Sequence, residues 1–177
     1  MHLSPGDIST VDSKDLNEIH PISEKKKISV NIRPYKPSDK EKVNTINEVS
    51  LEISFHYYFD IFHRQDPGLF LVAEHANEIV GFVLAKNGEN FGESPTAIIF
   101  AIAVIPQYRS LGIGEQLINA LSQELKRKNI KKLFLHVRVG NTRGIKFYQQ
   151  LDFNEIITVP EFYSWGEDAY RMVKIIK

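Results

Sequence analysis

One stretch constrains this chain more than any other: TAIIFAIAVIPQYRSLGIGEQL, residues 96 to 117. An almost unbroken apolar run, Ala97–Ile105, ends at Pro106 and is followed by Gly112, Gly114 and a helical pattern. Apolar residues without polar alternation over that length read as a strand covered on both faces. Leu117, Ile118, Leu121 and Leu125 then recur on one helix face, and Lys126, Arg127 and Lys128 close the pattern where the helix dipole favours cations. A buried strand turning through glycines into a helix is a step of a mixed α/β domain. It also carries chemistry. The first turn of a helix leaves backbone N–H groups without intrahelical partners, and with the dipole these attract an anion. Gly112 and Gly114 have no Cβ to keep an anion from the backbone, and Arg109 adds a cation. A phosphate or pyrophosphate is therefore expected along Arg109, Ser110, Leu111, Gly112, Ile113, Gly114 and Glu115.

Two familiar phosphate patterns fail here. Glu115 follows Gly114 where a Walker loop needs Lys, and Leu117 stands where a dinucleotide fingerprint needs a third glycine. On this turn alone, a strand-to-helix corner with no ligand stays open.

The remaining segments assemble around that centre. ISVNIRPY alternates Ile28, Val30 and Ile32 as a strand, stopped by Pro34. A helix starts at Ser38-Asp39 and places Val43, Ile46, Val49 and Ile53 at helical spacing, and the aromatic FHYYFDIFHRQ forms a second short helix. Leu69–Glu74 and Ile79–Lys86 make a hairpin turning at Ala76-Asn77. KKLFLHVRV is a strand with Leu133, Leu135, Val137 and Val139 on one face and Phe134, His136 and Arg138 on the other. TRGIKFYQQL is a helix, and DFNEIITV and DAYRMVKII are closing strands. The order βααββ, βαβ, αββ predicts an α/β domain with one sheet and helices on its faces. Residues 1–27 contain no aromatic residue and end in Glu24-Lys25-Lys26-Lys27, so they are expected to form a flexible arm before a single domain, 28–177.

Lys and Arg balance Asp and Glu at 22 each, so no broad electrostatic attraction to nucleic acid or anionic membrane is expected. The absence of cysteine excludes disulfides, thiolate metal sites and a cysteine nucleophile, and fits a cytoplasmic protein. No apolar run is long enough to span a bilayer, and the first residues do not read as a signal peptide. His56, Asp60 and His63 share a helical face, but without a further ligand they predict no metal.

RSLGIG resembles the R/Q-x-x-G-x-G/A motif of the GNAT superfamily of N-acetyltransferases. AIAVIPQYRSLGIGEQL and LHVRVGNTRGIKFYQQLDF resemble its two central motifs in order and spacing. FYSWGEDAYRM, and SFHYYFDIF after the first helix, resemble the branch that acetylates ribosomal proteins and protein N-termini. The resemblance covers residues 28–177. It implies the GNAT fold, with splayed parallel strands admitting acetyl-CoA. Backbone groups of Ile102, Ala103 and Val104 would pair with the pantetheine arm, and the turn Arg109–Glu115 would hold the pyrophosphate. Asn141 would lie beside the pantetheine, and Tyr148 near the thioester sulfur, with a proton for the leaving thiolate. Spacing alone favours a core aromatic on an amphipathic helix for Tyr148, and the resemblance reverses that weighting.

The acceptor implied is the α-amino group of a protein or peptide, with an auxiliary subunit or ribosome as a further partner. Attack requires the neutral amine, whose pKa is about 8. His136 stands where many relatives carry Glu, and imidazole suits a base or a water-positioning role near neutral pH. Other branch members place an ionisable residue where this chain has Ile98, or a glutamate where it has Ile53 with Glu52 adjacent. His136 and Tyr148 are therefore the expected catalytic pair, with Glu52 an outside candidate. Phe55, Tyr57 and Tyr58 are expected on one wall of the peptide groove and Phe162 and Tyr163 on the other. A cysteine-free chain implies direct transfer. The alternatives are the same fold acting on a lysine side chain or small amine, and an acyl-CoA-binding module without turnover.

Overall fold

The computed structural model describes residues 26–51, 56–88 and 95–177. Short strand β1 (Asn31–Pro34) leads to α1 (Lys40–Ser50) and α2 (His56–Gln65). Strands β2 (Phe70–His75), β3 (Glu78–Gly88) and β4 (Thr96–Val104) follow, then α3 (Ile113–Arg127), β5 (Lys132–Arg138), α4 (Thr142–Gln150), β6 (Asn154–Val159) and β7 (Ala169–Ile175). The strands form one sheet in the order β1-β2-β3-β4-β5-β7-β6. Each neighbouring pair is antiparallel except β4–β5. At the β2–β3 turn Ala76 and Asn77 take φ of 48° and 64°, the left-handed pair required by a tight hairpin whose twist matches its strands.

The faces of the sheet differ in chemistry. On one, Leu117, Ile118, Leu121 and Leu125 of α3 are fully buried against aliphatic residues of the strands, with Phe147 and Tyr148 of α4 packed at the margin. On the other, α1 and α2 cover an aromatic cluster in which Tyr35 stacks on Phe70 at 4.1 Å and Phe59 meets Phe70 and Phe82 edge-wise or tilted. Strand β4 serves both. Its register with β3 pairs Leu84 with Ala101 but Ala85 with Ile99, leaving Phe100 as an extra residue. A bulge of this kind reverses the side-chain alternation. Ala97 and Ile99 consequently pack on the α3 side, and Ala101 and Ala103 on the α1–α2 side.

Three details depart from the sequence pattern. Val49 is 56% exposed, because the buried stripe of α1 runs through Val43, Ile46 and Asn47 instead. Ile28–Val30 does not join the sheet. Ile28 N–H donates to the Leu111 carbonyl at 3.1 Å, while the Gln116 amide donates to the Ile28 carbonyl at 2.7 Å and accepts from Val30 N–H at 3.3 Å. A glutamine side chain thus replaces a partner strand. Lys27, expected in the arm, pairs with Glu115 at 2.6 Å. Residues 1–25 of that arm, like Glu52, Ile53 and Phe55, lie outside the described residues. Among the described residues no helix is long and apolar enough to cross a membrane.

Candidate active site

The parallel strands meet over only three pairs, Thr96↔Lys132, Ala97↔Leu133 and Ile98↔Phe134, and then part. A cleft of about 790 Å³ opens where they diverge, between the end of β4, the start of α3 and one face of α4. Ile102, Ala103, Val104, Arg109, Ser110, Gly112, Ile113, Gly114, Glu115, Asn141 and Tyr148 all line it; of the cofactor-side residues singled out from sequence, Leu111 alone does not.

The two glycines have separate jobs. Gly112 caps α3 with φ of 80°, a left-handed conformation that side chains disfavour, so the chain enters the helix with its first N–H groups turned outward. Gly114 is needed for clearance: a Cβ there would sit 3.0 Å from the Phe147 ring of α4. One glycine therefore shapes the turn and the other lets α4 approach it. Arg109 braces the site, its Nε donating to the Val104 carbonyl at 2.9 Å. Asn141 caps α4, its Oδ1 accepting from Gly144 N–H at 2.9 Å.

Arg143 and Lys146 also line the cleft, and Arg143 reaches from α4 to donate to Ser110 Oγ at 2.9 Å. Sequence reasoning missed both. For Arg143 the signal was a cation in the first turn of α4, where the dipole disfavours it unless something anionic is near.

Phe162 and Tyr163, expected from the sequence on the acceptor side, lie in the β6–β7 connection. The Phe162 ring lies nearly parallel to the His136 imidazole at 4.2 Å, meets Tyr163 edge-on, and Tyr163 stacks on Trp165 at 4.8 Å. Glu167 holds this loop by accepting from Trp165 Nε1 at 3.1 Å and lying 3.5 Å from Arg138, while Asp168 accepts from Glu161 N–H at 2.8 Å. The acidic pair of the GED run therefore fixes loop shape. His136 Nε2 accepts from Arg171 Nε at 3.2 Å, across the paired positions of β5 and β7. Burial, with the adjacent Arg171 charge, pushes the imidazole down to about 4. Burial, with Tyr163 nearby, holds the Tyr148 phenol above its ordinary pKa, so it stays protonated.

On α2, Tyr57 and Tyr58 are exposed at 72% and 44%, and a ring series Tyr58–Phe62–Phe100 runs from that helix to the β4 bulge. Asp60 pairs with Lys40, and His63 packs edge-on to Tyr35. Among the described residues no group of three ligating side chains is arranged for a metal.

The family model described as Acetyltransferase (GNAT) family matches residues 36–153. The chain belongs to this family. An N-alpha-acetyltransferase of Sulfurisphaera tokodaii is 34% identical over 150 residues, spanning 80% of this chain and 90% of that protein. The crystal structure of Ard1 from Thermoplasma volcanium superposes with a TM-score of 0.77 at 28% identity, covering 85% of this chain and 99% of that one. Arabidopsis thaliana Naa50, in complex with the bisubstrate analogue CoA-Ac-MVNAL, shares the fold at a TM-score of 0.74 and 21% identity, covering 83% and 99%. The parted strands, the α3 turn and the seven-stranded mixed sheet are thus those of a GNAT acetyltransferase, with acetyl-CoA as its donor.

Proposed function

We propose that this GNAT enzyme transfers acetyl from acetyl-CoA to the α-amino group at protein or peptide N-termini. The observation that carries the reading is the joining of two surfaces by one aromatic loop. Tyr148 lines the cofactor cleft and lies near Tyr163, which in turn meets the Phe162 ring stacked on His136. The name of the S. tokodaii relative supports the α-amine as acceptor.

The cleft suits the donor. The β4 backbone at Ile102–Val104 has parted from β5 and, apart from the Val104 carbonyl that Arg109 engages, offers its edge to an extended pantetheine chain. The opening N–H groups of α3, with Arg143 and Lys146 facing them across the cleft, suit a pyrophosphate. Bound there, acetyl-CoA supplies an activated acyl group with a thiolate leaving group. Tyr148, kept protonated, donates its phenolic proton to the departing sulfur, and the proton that the attacking nitrogen sheds on becoming an amide passes through water to restore the phenol. Phe162 and Tyr163 with His136 form one wall of the acceptor groove, and Tyr57 and Tyr58 belong to the other, together with Phe55. Glu52 is a further candidate for the acceptor side. With no cysteine in the chain, attack on the acyl carbon is direct. The proposal includes a single catalytic domain over residues 28–177 preceded by an arm, a cytoplasmic setting, and an auxiliary subunit or ribosomal anchor as a further partner.

Thiol release from acetyl-CoA, measured with peptides bearing free N-termini and with their N-blocked twins, tests the reading. Turnover with free N-termini alone is expected. Turnover of blocked, lysine-containing twins would move the acceptor to a side chain.

A further inference from the structure

The most informative group outside the steps above is Arg171. It stands directly opposite His136 in the β5–β7 ladder, and its Nε–H points at His136 Nε2 from 3.2 Å. A guanidinium always carries its protons, so the nitrogen facing it must present a lone pair. In a neutral imidazole the remaining proton then belongs on Nδ1. Phe162, nearly parallel at 4.2 Å, prevents the ring from turning out of this arrangement cheaply.

We infer that Arg171 is a positioning residue that locks His136 as an Nδ1–H hydrogen-bond donor to the acceptor groove and removes it from the role of general base. Were His136 to take the ammonium proton, Nε2–H would confront Arg171 Nε–H, donor against donor, beside a second positive charge. The proposal rests on the α-amine reading for its substrate. It adds that the peptide enters as the neutral amine, whose proton has already gone to solvent. The titratable and charged groups around the ring are consistent with this. Arg171 of β7 faces the ring directly, Tyr163 of the β6–β7 loop meets the Phe162 ring stacked on it, and Arg138, two residues on along β5, is held by Glu167 of that loop. Burial and the Arg171 charge both oppose protonation of His136.

Two measurements on the full chain test this. The first is a histidine ¹⁵N titration, with His136 assigned by its loss in His136→Gln. The expected result is an Nδ1–H imidazole that stays neutral at pH 6. In Arg171→Met its midpoint should rise by about one unit or more toward the ordinary value, and Arg171→Lys, which keeps a donor, should restore the Nδ1–H form. An Nε2–H ring, an imidazolium at pH 6, or a tautomer indifferent to Arg171→Met overturns the proposal. The second is kcat/KM against pH for two peptides whose α-amines differ by about one pKa unit. The acid limb should move with the peptide. A limb common to both peptides and abolished in His136→Gln restores His136 as the base and overturns the proposal. If neither peptide turns over, the α-amine reading fails, while the ¹⁵N titration still decides the state of His136.

Discussion

The cofactor cleft and the proposed acceptor wall approach each other at Tyr148 but are made of different material. The cleft is built from backbone: a left-handed Gly112, the first turn of α3, a strand end released by the parting of β4 from β5. The wall is built from side chains: the series His136–Phe162–Tyr163–Trp165, fixed from below by Glu167 and Asp168. Backbone geometry serves a ligand common to a whole family, since any sequence that makes the turn offers the same N–H groups. Side-chain walls serve an acceptor that differs from enzyme to enzyme. Substitutions should therefore separate cleanly into those that alter acetyl-CoA binding and those that alter peptide use.

Tyr148 at the junction gives the largest expected effect and the one exception to that separation. Tyr148→Phe removes the proposed proton donor while keeping the ring against Phe147 and Phe153. Turnover should fall by about 10²-fold, the lower end for losing a general acid, with CoA affinity by calorimetry unchanged. An undiminished kcat would take Tyr148 out of the chemistry.

The same contrast explains what could be read from the sequence. The α3 stripe, the hairpin at Ala76-Asn77 and the Gly112 turn are local patterns, set by residues within one or two turns of one another. They were legible as local structure: a helix stripe, a tight hairpin and a strand-turn-helix step. The β4 bulge at Phe100 was not, because it exists only as a mismatch of register with β3. Nor was the Arg171–His136 contact, whose partners are far apart in sequence and meet only once β7 has paired with β5. Val49 misled for a simpler reason: as an apolar residue near the end of an amphipathic helix, it fits the spacing loosely but lies off the buried stripe.

Gly112 sharpens the backbone half of the comparison. In Gly112→Val a β-branched residue is forced to φ of 80°, and its Cβ would meet the Lys27 side chain at 3.1 Å. The strain is about 1–2 kcal/mol or more. If the turn relaxes to relieve it, acetyl-CoA Kd should rise about tenfold, equivalent to about 1.4 kcal/mol. The peptide KM at saturating acetyl-CoA should hold. A variant that binds acetyl-CoA normally would show that the N–H groups of this turn contribute little.

Phe162→Ala tests the other half. It removes the ring stacked on His136 and the edge against Tyr163, contacts worth about 1 kcal/mol beyond their buried area. Peptide KM should rise about fivefold, with acetyl-CoA Kd unaffected. Equal losses in both constants would mean that the loop organises the whole cleft and that the two surfaces are not separable.

The last effect is thermodynamic and has opposite signs of pH on the two surfaces. His136 is pushed down to about 4 in the folded protein from 6.5, its ordinary value in the unfolded chain. Above pH 6.5 both states leave it neutral and it adds no pH dependence. As pH falls from 6.5 to 4 the unfolded chain takes up a proton that the folded protein refuses, so stability drains away, and below about 4 the loss is complete. Tyr148, raised above 10, acts at the other end: its contribution is whole below pH 10 and is lost as alkali ionises the phenol in the unfolded chain first. Urea midpoints taken against pH for the wild type and for His136→Gln isolate the first term, because the carboxylates titrate in both proteins and cancel in the difference. The wild type should lose ground to the variant only between pH 6.5 and 4. Parallel curves through that window would mean that the folded protein accepts the proton on His136, and the donor arrangement with Arg171 would then be too weak to hold the ring neutral.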